Sequence, residues 1–339
     1  MQELITITEL KRRVADGRAE ARVHGQLGLQ QKSTKEGKPY FDVGLTDGGG
    51  NFSIKAWSNS PQMARCTQLN GNEFVEINGE FFNSNFGMDS KNWSLRVLTD
   101  EERDELLIGS PDVRQKLDRD FQDVSDLLDS VRDPRLRAVN EAFMKQHGAA
   151  FLRAAAARKN HHARRGGLLE HVAQMMRCSA AICEVYPLLN RDLLLTAVLF
   201  HDCGKLWENG LPADGFASPF DETGELLGHI SIGARVLDEL WLTLSLDQWN
   251  DLRPASEDVR LHLLHLVLSH HGSHEWGSPV VPKTPEAYVL HHVDNIDAKL
   301  EMMAGGYAGS TFIAPRIQQR ANPLPGNLVR PLEKFEGEL

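Results

Sequence analysis

The 339-residue chain has few cysteines and lacks long apolar runs. None of its four cysteines belongs to a C-x-x-C pair, and Cys178 and Cys183 lie in an apolar helical segment where buried thiols are common. We therefore predict four reduced cysteines. No stretch of eighteen apolar residues provides a membrane-spanning candidate, and the N-terminus lacks the basic and apolar regions of a secretory signal. These absences predict a cytoplasmic protein with no membrane partner.

Positive charge is also scarce. Lysine and arginine number 37 against 47 aspartates and glutamates, which gives a formal net charge of −10. This balance argues against a protein that coats duplex DNA by bulk electrostatics, although it leaves room for a local basic patch. The length exceeds that of one small domain and suits two domains, each with an apolar core.

Alternating apolar residues between about Ala21 and Leu98 predict β-strands. Glycine-rich turn signals separate the strands, and Pro61–Leu69 is predicted to be a short helix after the third. Three strands, a helix and two strands is the element order of an OB-fold, a small five-stranded barrel. We predict this all-β domain over residues 19–100, after a short helix within residues 1–18.

The predicted barrel carries features of a face that binds single-stranded nucleic acid. Lysines cluster in its first hairpin, and aromatic residues are frequent along its strands. Nucleobases stack on aromatic rings with little dependence on base sequence. In the alternative interpretation, the aromatics fill the barrel core and the lysines are merely solvated. The candidate strand-binding residues of the barrel are Lys32, Lys35, Lys38, Tyr40, Phe52 and Trp57.

Residues 101–158 are predicted to form a helical connector, with Ser110-Pro111 starting one helix and Arg132-Asp133-Pro134 ending it. A basic loop without acidic residues follows. Such loops commonly serve solubility alone, but this one leads directly into the segment with candidate metal ligands. Its candidate substrate contacts are Lys159, His161, His162, Arg164 and Arg165.

Five successive predicted helices beyond this loop each carry an imidazole or a carboxylate in an apolar setting. Burying such groups singly is costly, and a shared divalent ion removes the cost for all of them. Their number exceeds what one ion needs, so we predict two ions about 3.5–4 Å apart, bridged by Asp202. The nitrogen and oxygen donors suit Mn²⁺, Fe²⁺, Co²⁺, Ni²⁺, Mg²⁺ or Zn²⁺. The candidate ligands are His171, His201, Asp202, His229, His270, His271 and Asp294, with the choice between His270 and His271 left open.

The set His171, His201-Asp202 and Asp294 resembles the HD superfamily of metal-dependent phosphohydrolases. The remaining histidines resemble the additional ligands of its dinuclear members. An OB-fold before such a domain closely resembles the bacterial YhaM-type 3′-to-5′ exoribonucleases, over roughly residues 15–310. The motifs that carry this resemblance are Lys159–His162, Gly166–His171, Gly228–His229, Ser269–Gly272, Gly277–Pro279 and Asp294–Ala298. A polar insert at Leu244–Asp258 departs from it.

The resemblance implies an all-α HD domain, here assigned to residues 159–308, followed by a proline-containing tail at 309–339. It implies a metal-dependent enzyme, with Mn²⁺ favoured, that removes nucleotides from the 3′ end of single-stranded RNA. Single-stranded DNA remains an alternative substrate. The sequence is also compatible with a homo-oligomer. Asp202 and Lys205 are the expected catalytic residues, the lysine countering negative charge in the transition state.

Two other functions are compatible with the same sequence. The first is an HD-type nucleotide phosphohydrolase or cyclic-nucleotide phosphodiesterase in which the barrel is regulatory. The second is a non-catalytic module that binds single strands and holds a structural metal. Lys205, next to a full set of ligands, disfavours the second.

Overall fold

The computed structural model describes residues 2–15, 17–84, 87–158, 162–216, 220–309 and 312–332. The chain divides into two compact units. The first comprises Met1–Leu106 with Lys299–Leu339, and the second comprises Leu107–Ala298. The first unit therefore includes the C-terminal segment that the sequence prediction assigns to the end of the HD domain and to the tail. Each unit has an apolar core of its own.

The first unit contains five antiparallel strands in the order β3-β2-β1-β4-β5. The outer strands β3 and β5 also approach each other, which closes the sheet. Alternate residues such as Val23, Ile54 and Ile77 point inward and are buried. The predicted OB-like barrel is therefore confirmed. The strands are β1 (Ala19–Ser33), β2 (Pro39–Thr46), β3 (Asn51–Trp57), β4 (Phe74–Ser84) and β5 (Gly87–Val97).

Two short helices accompany the barrel. Helix α1 (Ile7–Ala15) buries Ile7, Leu10 and Val14, which share one helical face, in the barrel core. Helix α2 (Pro61–Cys66) is three residues shorter than predicted and ends before the Asn70-Gly71 turn.

The C-terminal segment of this unit is more ordered than a simple tail. Its described residues form a three-stranded sheet of β6 (Phe312–Ala314), β7 (Ile317–Gln318) and β8 (Leu328–Val329). Leu324 and Leu328 are buried. The strands are only two or three residues long, so an alternating apolar pattern is too short to be recognised in the sequence.

The second unit is helical, as predicted. Ser110 and Asp133 accept hydrogen bonds from backbone amides at the starts of α4 and α5, and a proline follows each. The helices are α3 (Asp100–Ile108, which reaches into this unit), α4 (Pro111–Asp129), α5 (Pro134–Phe151), α6 (Gly167–Val185), α7 (Arg191–Phe200), α8 (Lys205–Glu208), α9 (Glu222–Leu242), α10 (Ser256–Ser269) and α11 (Pro285–Gly309). Within the described residues, no helix is both long and apolar enough to cross a membrane.

Helix α7 lies in the core of the second unit because every residue from Leu193 to Phe200 is buried. Such a helix is apolar on nearly all sides, which is why the sequence shows an apolar run interrupted only by Thr196 rather than an amphipathic pattern. The buried run delivers the two residues that follow it, His201 and Asp202, to the interior of the unit.

Candidate metal centre

The ends of α7 and α10 place His201 and His270 in equivalent positions. Each is the C-cap of its helix. Each ring donates its Nδ1–H to the carbonyl three residues earlier, at 2.8 Å for Val198 and 2.7 Å for Val267. Carbonyls in the last turn of a helix lack an intrahelical donor, so this bond satisfies the carbonyl and fixes the imidazole.

The other three histidines proposed as ligands are also held through Nδ1. The partners of His171, His229 and His271 are, respectively, Asp297 Oδ2 at 2.6 Å, Glu208 Oε2 at 2.6 Å and the Trp276 carbonyl at 2.7 Å. Because these oxygens accept, Nδ1 carries the hydrogen in each neutral ring, and Nε2 presents the lone pair. A metal-binding histidine is oriented in this way by an acceptor on its other nitrogen.

The two oxygens of Asp202 face different histidines. Asp202 Oδ2 lies 3.3 Å from His201 Nε2 and 3.6 Å from His171 Nε2. Asp202 Oδ1 lies 3.4 Å from His229 Nε2 and 3.6 Å from His270 Nε2. The carboxylate therefore sits between two groups of imidazoles, one on each oxygen.

Asp294 and His271 complete the two groups. Asp294 Oδ1 lies 3.4 Å from His171 Nε2, on the Oδ2 side of Asp202. Ligand atoms of His229, His270 and His271 lie within 4.8 Å of one another, as do those of His171, His201 and Asp202. Both His270 and His271 are therefore in position to bind.

Three atoms on the Oδ1 side of Asp202 show whether the site suits a cation. Asp202 Oδ1, His229 Nε2 and His270 Nε2 are buried and have no hydrogen-bond partner among the described residues. A buried polar atom left unsatisfied costs about 1–3 kcal/mol, and these three atoms face one another. Imidazole nitrogen and carboxylate oxygen are ligands for divalent first-row metals, so the residues fit a divalent ion.

The pKa values of three histidines differ between the Oδ2 side and the Oδ1 side of Asp202. Burial lowers the pKa of His171, but hydrogen bonds to Asp294 and Asp297 outweigh it and raise this pKa to about 9. Burial would raise the pKa of Asp294, but the hydrogen bond and charge of His171 hold it below its usual range. Burial lowers the pKa of His270 and of His271. On the Asp202 Oδ1 side, His270 and His271 therefore favour the neutral, metal-binding form.

Lys205 adds a positive charge beside these groups. It is buried in the first turn of α8, and its ammonium donates to Asp202 Oδ2. Burial would raise the pKa of Asp202, but Lys205 and His201 hold it well below its usual range. Asp202 is therefore ionised.

Two glycines allow α9 to reach this centre. A side chain at Gly204 would place a Cβ 2.0 Å from the His229 carbonyl oxygen, so the two backbones touch there. Helix α9 is bent at Gly228, whose φ of 69° lies in the left-handed region that favours glycine. Close approach at one glycine and the bend at the other bring His229 to Asp202.

The part of the chain that contains these residues matches a known protein family. The HD domain family matches residues 168–299, which include all seven candidate ligands. The 3′-5′ exoribonuclease YhaM of Bacillus subtilis (strain 168) is 33% identical over 287 residues, which cover 82% of this chain and 85% of that protein. The chain belongs to the YhaM family. HD domains bind divalent metals, and this YhaM-family chain has histidine and aspartate clusters that could hold a metal ion.

From His162 onward, the basic loop of this YhaM-family chain is not arranged as its sequence suggests. His162, a predicted substrate contact, is fully buried, with Nε2 bonded to Asp297 Oδ2 at 2.8 Å, so this assignment is corrected. Arg164 donates to the Glu170 carboxylate, and Arg165 donates to backbone carbonyls of residues 212, 213 and 215. Both guanidinium groups thus bind protein atoms. Lys159 and His161 lie outside the described residues.

The barrel candidates also divide into two groups. Phe52 is only 7% exposed and packs edge-on against Phe81, so its assignment to the strand-binding face is corrected to the core. Tyr40 and Trp57 lie ring to ring, with centroids 5.1 Å apart, and Trp57 is 40% exposed.

The three hairpin lysines also differ from one another. Lys32 forms an ion pair with Asp42, and Lys38 Nζ lies 3.6 Å from Glu36 Oε2. Lys35 is exposed. A phosphate contact by Lys32 would therefore compete with an existing partner.

Two residues outside the predicted ligand set hold candidate ligands in place. Asp297 lies one turn beyond Asp294 on α11, and this i, i+3 spacing is a signal that the sequence offers. Glu208 holds both the ring and the backbone amide of His229, at 2.6 and 3.1 Å. Nothing in the sequence pairs Glu208 with a histidine 21 positions away, because the contact depends on how α8 packs on α9.

Proposed function

We propose that the chain is a metal-dependent 3′-to-5′ exoribonuclease. The observation that carries this proposal is that the two oxygens of Asp202 face two separate groups of correctly oriented imidazoles. The chain's kinship with an exoribonuclease over most of its length supports the substrate class.

We infer two divalent ions, with Mn²⁺ favoured. His171, His201, Asp294 and Asp202 Oδ2 would hold one, while His229, His270, His271 and Asp202 Oδ1 would hold the other. When bound, such ions lower the pKa of a water and offset charge on the phosphate. The inference of two ions is supported by the position of the Asp202 carboxylate, which lies between two sets of donor atoms. A single ion could not contact all of them at ligand distances of about 2.0–2.2 Å.

The protein's own groups contribute orientation and charge. The five Nδ1 bonds fix the rings, and Asp202 stays ionised beside Lys205. The Lys205 ammonium provides positive charge against the negative charge that develops on a phosphate during hydrolysis. We assign catalytic roles to Asp202 and Lys205 on this basis.

Access to the centre favours a strand end. His171, His201 and His270 are completely buried, whereas side chains of Asp294 and His229 are 17% and 14% exposed. The donors are therefore approached from the side of the partly exposed residues. An opening into a helical interior admits the end of a single strand more readily than the middle of a duplex, since a duplex is far wider than one extended strand.

A direct test is the product pattern on labelled strands. Purified protein with Mn²⁺ is incubated with 5′-labelled single-stranded RNA, the equivalent DNA and a blunt RNA duplex. We expect a ladder that shortens from the 3′ end of the single-stranded RNA and disappears with chelator. The DNA arm decides whether the 2′-hydroxyl contributes to recognition.

Nucleoside triphosphates and cyclic nucleotides serve as competing substrates in the same assay. Hydrolysis of these with intact strands would contradict the exonuclease and support a nucleotide phosphohydrolase. Strand binding without cleavage under all metal conditions would instead support the non-catalytic module.

The barrel is proposed to hold the strand on Trp57. Its ring is exposed beside Tyr40, and the Lys55 ammonium lies 5.5 Å from its centroid, so an aromatic surface and a positive charge lie next to each other. Stacking on one aromatic contributes about 1–3 kcal/mol, so Trp57→Ala should weaken binding of single-stranded RNA by about 5- to 150-fold. Fluorescence anisotropy with chelator present measures this without cleavage.

Phe312→Ala is a suitable control, because Phe312 is also an exposed aromatic of the first unit and lies beside Arg330. We expect near wild-type affinity from it. Equal weakening by both variants, or none by Trp57→Ala, would remove the barrel face from the proposal.

A further inference from the structure

His162 has a role different from the substrate contact that its basic surroundings suggest. Its Nε2 donates to Asp297 Oδ2 at 2.8 Å, and the same oxygen accepts from His171 Nδ1 at 2.6 Å. One carboxylate oxygen thus joins the imidazole of a loop residue to the imidazole of a candidate ligand. All three side chains are buried.

The other side of His162 also faces an acid. His162 Nδ1 lies 3.6 Å from Glu170 Oε2, and Lys116 and Arg164 form ion pairs with the Glu170 carboxylate. The imidazole therefore lies between two carboxylates. Basic side chains and carboxylates therefore alternate from Lys116 on α4, through Glu170, His162 and Asp297, to His171.

The backbone at His162 is held just as firmly. Its φ of 48° is in the left-handed region, which is strained for a residue with a side chain. Its carbonyl accepts from the Ala156 and Arg164 amides, and a Cβ at Gly167 would lie 2.0 Å from that oxygen. Strain of this kind persists where the surroundings determine the conformation, and it concentrates at functional sites.

We propose that His162 is a positioning residue for the metal centre, which acts by fixing Asp297 and, through it, His171. A carboxylate with two N–H donors on one oxygen has little freedom to rotate. Removing the outer donor frees Asp297, and His171 then loses the partner that aims its Nε2 at the centre. The inference rests on the proposed metal site, but it does not depend on which phosphodiester is cleaved.

The test compares His162→Phe, which removes the donor, and Asp297→Asn with His147→Phe. His147 is a partly buried histidine of the same unit whose ring contacts Phe143 and Trp207. Three quantities are measured without RNA: Co²⁺ affinity by competition with a chelator, the visible absorption spectrum of the Co²⁺ protein, and the melting temperature of the metal-free protein.

Loss of a residue that holds a metal ligand by a hydrogen bond, without binding the metal itself, typically lowers metal affinity 10- to 100-fold. We expect a loss of this size for His162→Phe and Asp297→Asn, with an altered Co²⁺ spectrum, and wild-type Co²⁺ affinity and spectrum for His147→Phe. The double variant should bind no more weakly than Asp297→Asn alone, because both residues act through His171.

Wild-type Co²⁺ affinity and spectrum in His162→Phe would overturn the inference. So would a fall in metal-free melting temperature with an unchanged spectrum, because that would indicate a structural role. If His162→Phe does not fold, Asp297→Asn decides, since Asp297 lies on a helix without special backbone geometry. A wild-type Co²⁺ affinity in Asp297→Asn would overturn the inference, because His162 is proposed to act through Asp297. A wild-type protein that binds Co²⁺ but leaves RNA intact would contradict the exonuclease proposal alone.

Discussion

Asp202→Ala is expected to abolish phosphodiester hydrolysis and remove most bound metal, because both oxygens of Asp202 face candidate ligands. The loss of metal affinity should exceed the roughly 10- to 100-fold that removal of an outer partner causes. The change also leaves the Lys205 ammonium buried without its carboxylate, so some loss of stability should accompany it. Elemental analysis, with cleavage of labelled RNA, measures both effects.

Asp202→Asn is the matched variant, since it keeps the volume and one acceptor oxygen but removes the negative charge. We expect the asparagine protein to fold, to bind metal weakly and to be inactive. A full metal complement in either variant would show that Asp202 is not a ligand. Reduced stability with normal metal content would place Asp202 in a purely structural role.

Gly204→Ala should damage the fold and the centre together. The new Cβ would lie 2.0 Å from the His229 carbonyl oxygen and 2.8 Å from the Gly233 amide nitrogen. These are backbone atoms, so the residues before α8 must move away from α9. Overpacking usually costs about 1–3 kcal/mol, and a backbone clash this close should reach or exceed that range. His229 would move with α9, so metal affinity should fall as well.

Gly305→Ala serves as the comparison. A Cβ there meets no atom within 4 Å in the described part of the chain, and the residue lies in α11. Alanine in a helix is favoured over glycine by about 0.5–1 kcal/mol, so this variant should be neutral or slightly more stable. Chemical denaturation and Co²⁺ titration of both proteins give the result. A Gly204→Ala protein with wild-type stability would show that the contact between α8 and α9 can adjust freely.

The sequence was sufficient where local pattern determines structure. Strand alternation and turn residues are local, so the barrel order could be read from residues 19–97. The all-α character of the second unit followed from caps such as Ser110 and Asp133 and from the apolar run of α7. Polar residues at the ends of apolar helices stand out in a sequence, which is why His201-Asp202 could be singled out as candidate ligands.

The sequence was insufficient where a role depends on the partner across the fold. The basic neighbours of His162 suggested that its side chain is exposed to solvent, yet packing against α11 buries it beside Asp297. Phe52 alternates correctly for a strand, but alternation does not say which face is the core. Glu208 looks like an ordinary surface acid until α8 meets α9. Charge and periodicity along the chain contain none of these contacts.

The Nδ1 bonds of the five histidines also link metal supply to the lifetime of the helical unit. Because the rings are already oriented, binding requires little reorganisation, and its free energy can favour the folded state directly. An ion that binds only the folded protein adds about 2.7 kcal/mol of stability at a free concentration 100 times its dissociation constant. The population exposed to proteolysis falls by the same factor of about 100. Scarcity of metal would then reduce the amount of enzyme in a cell as well as its turnover.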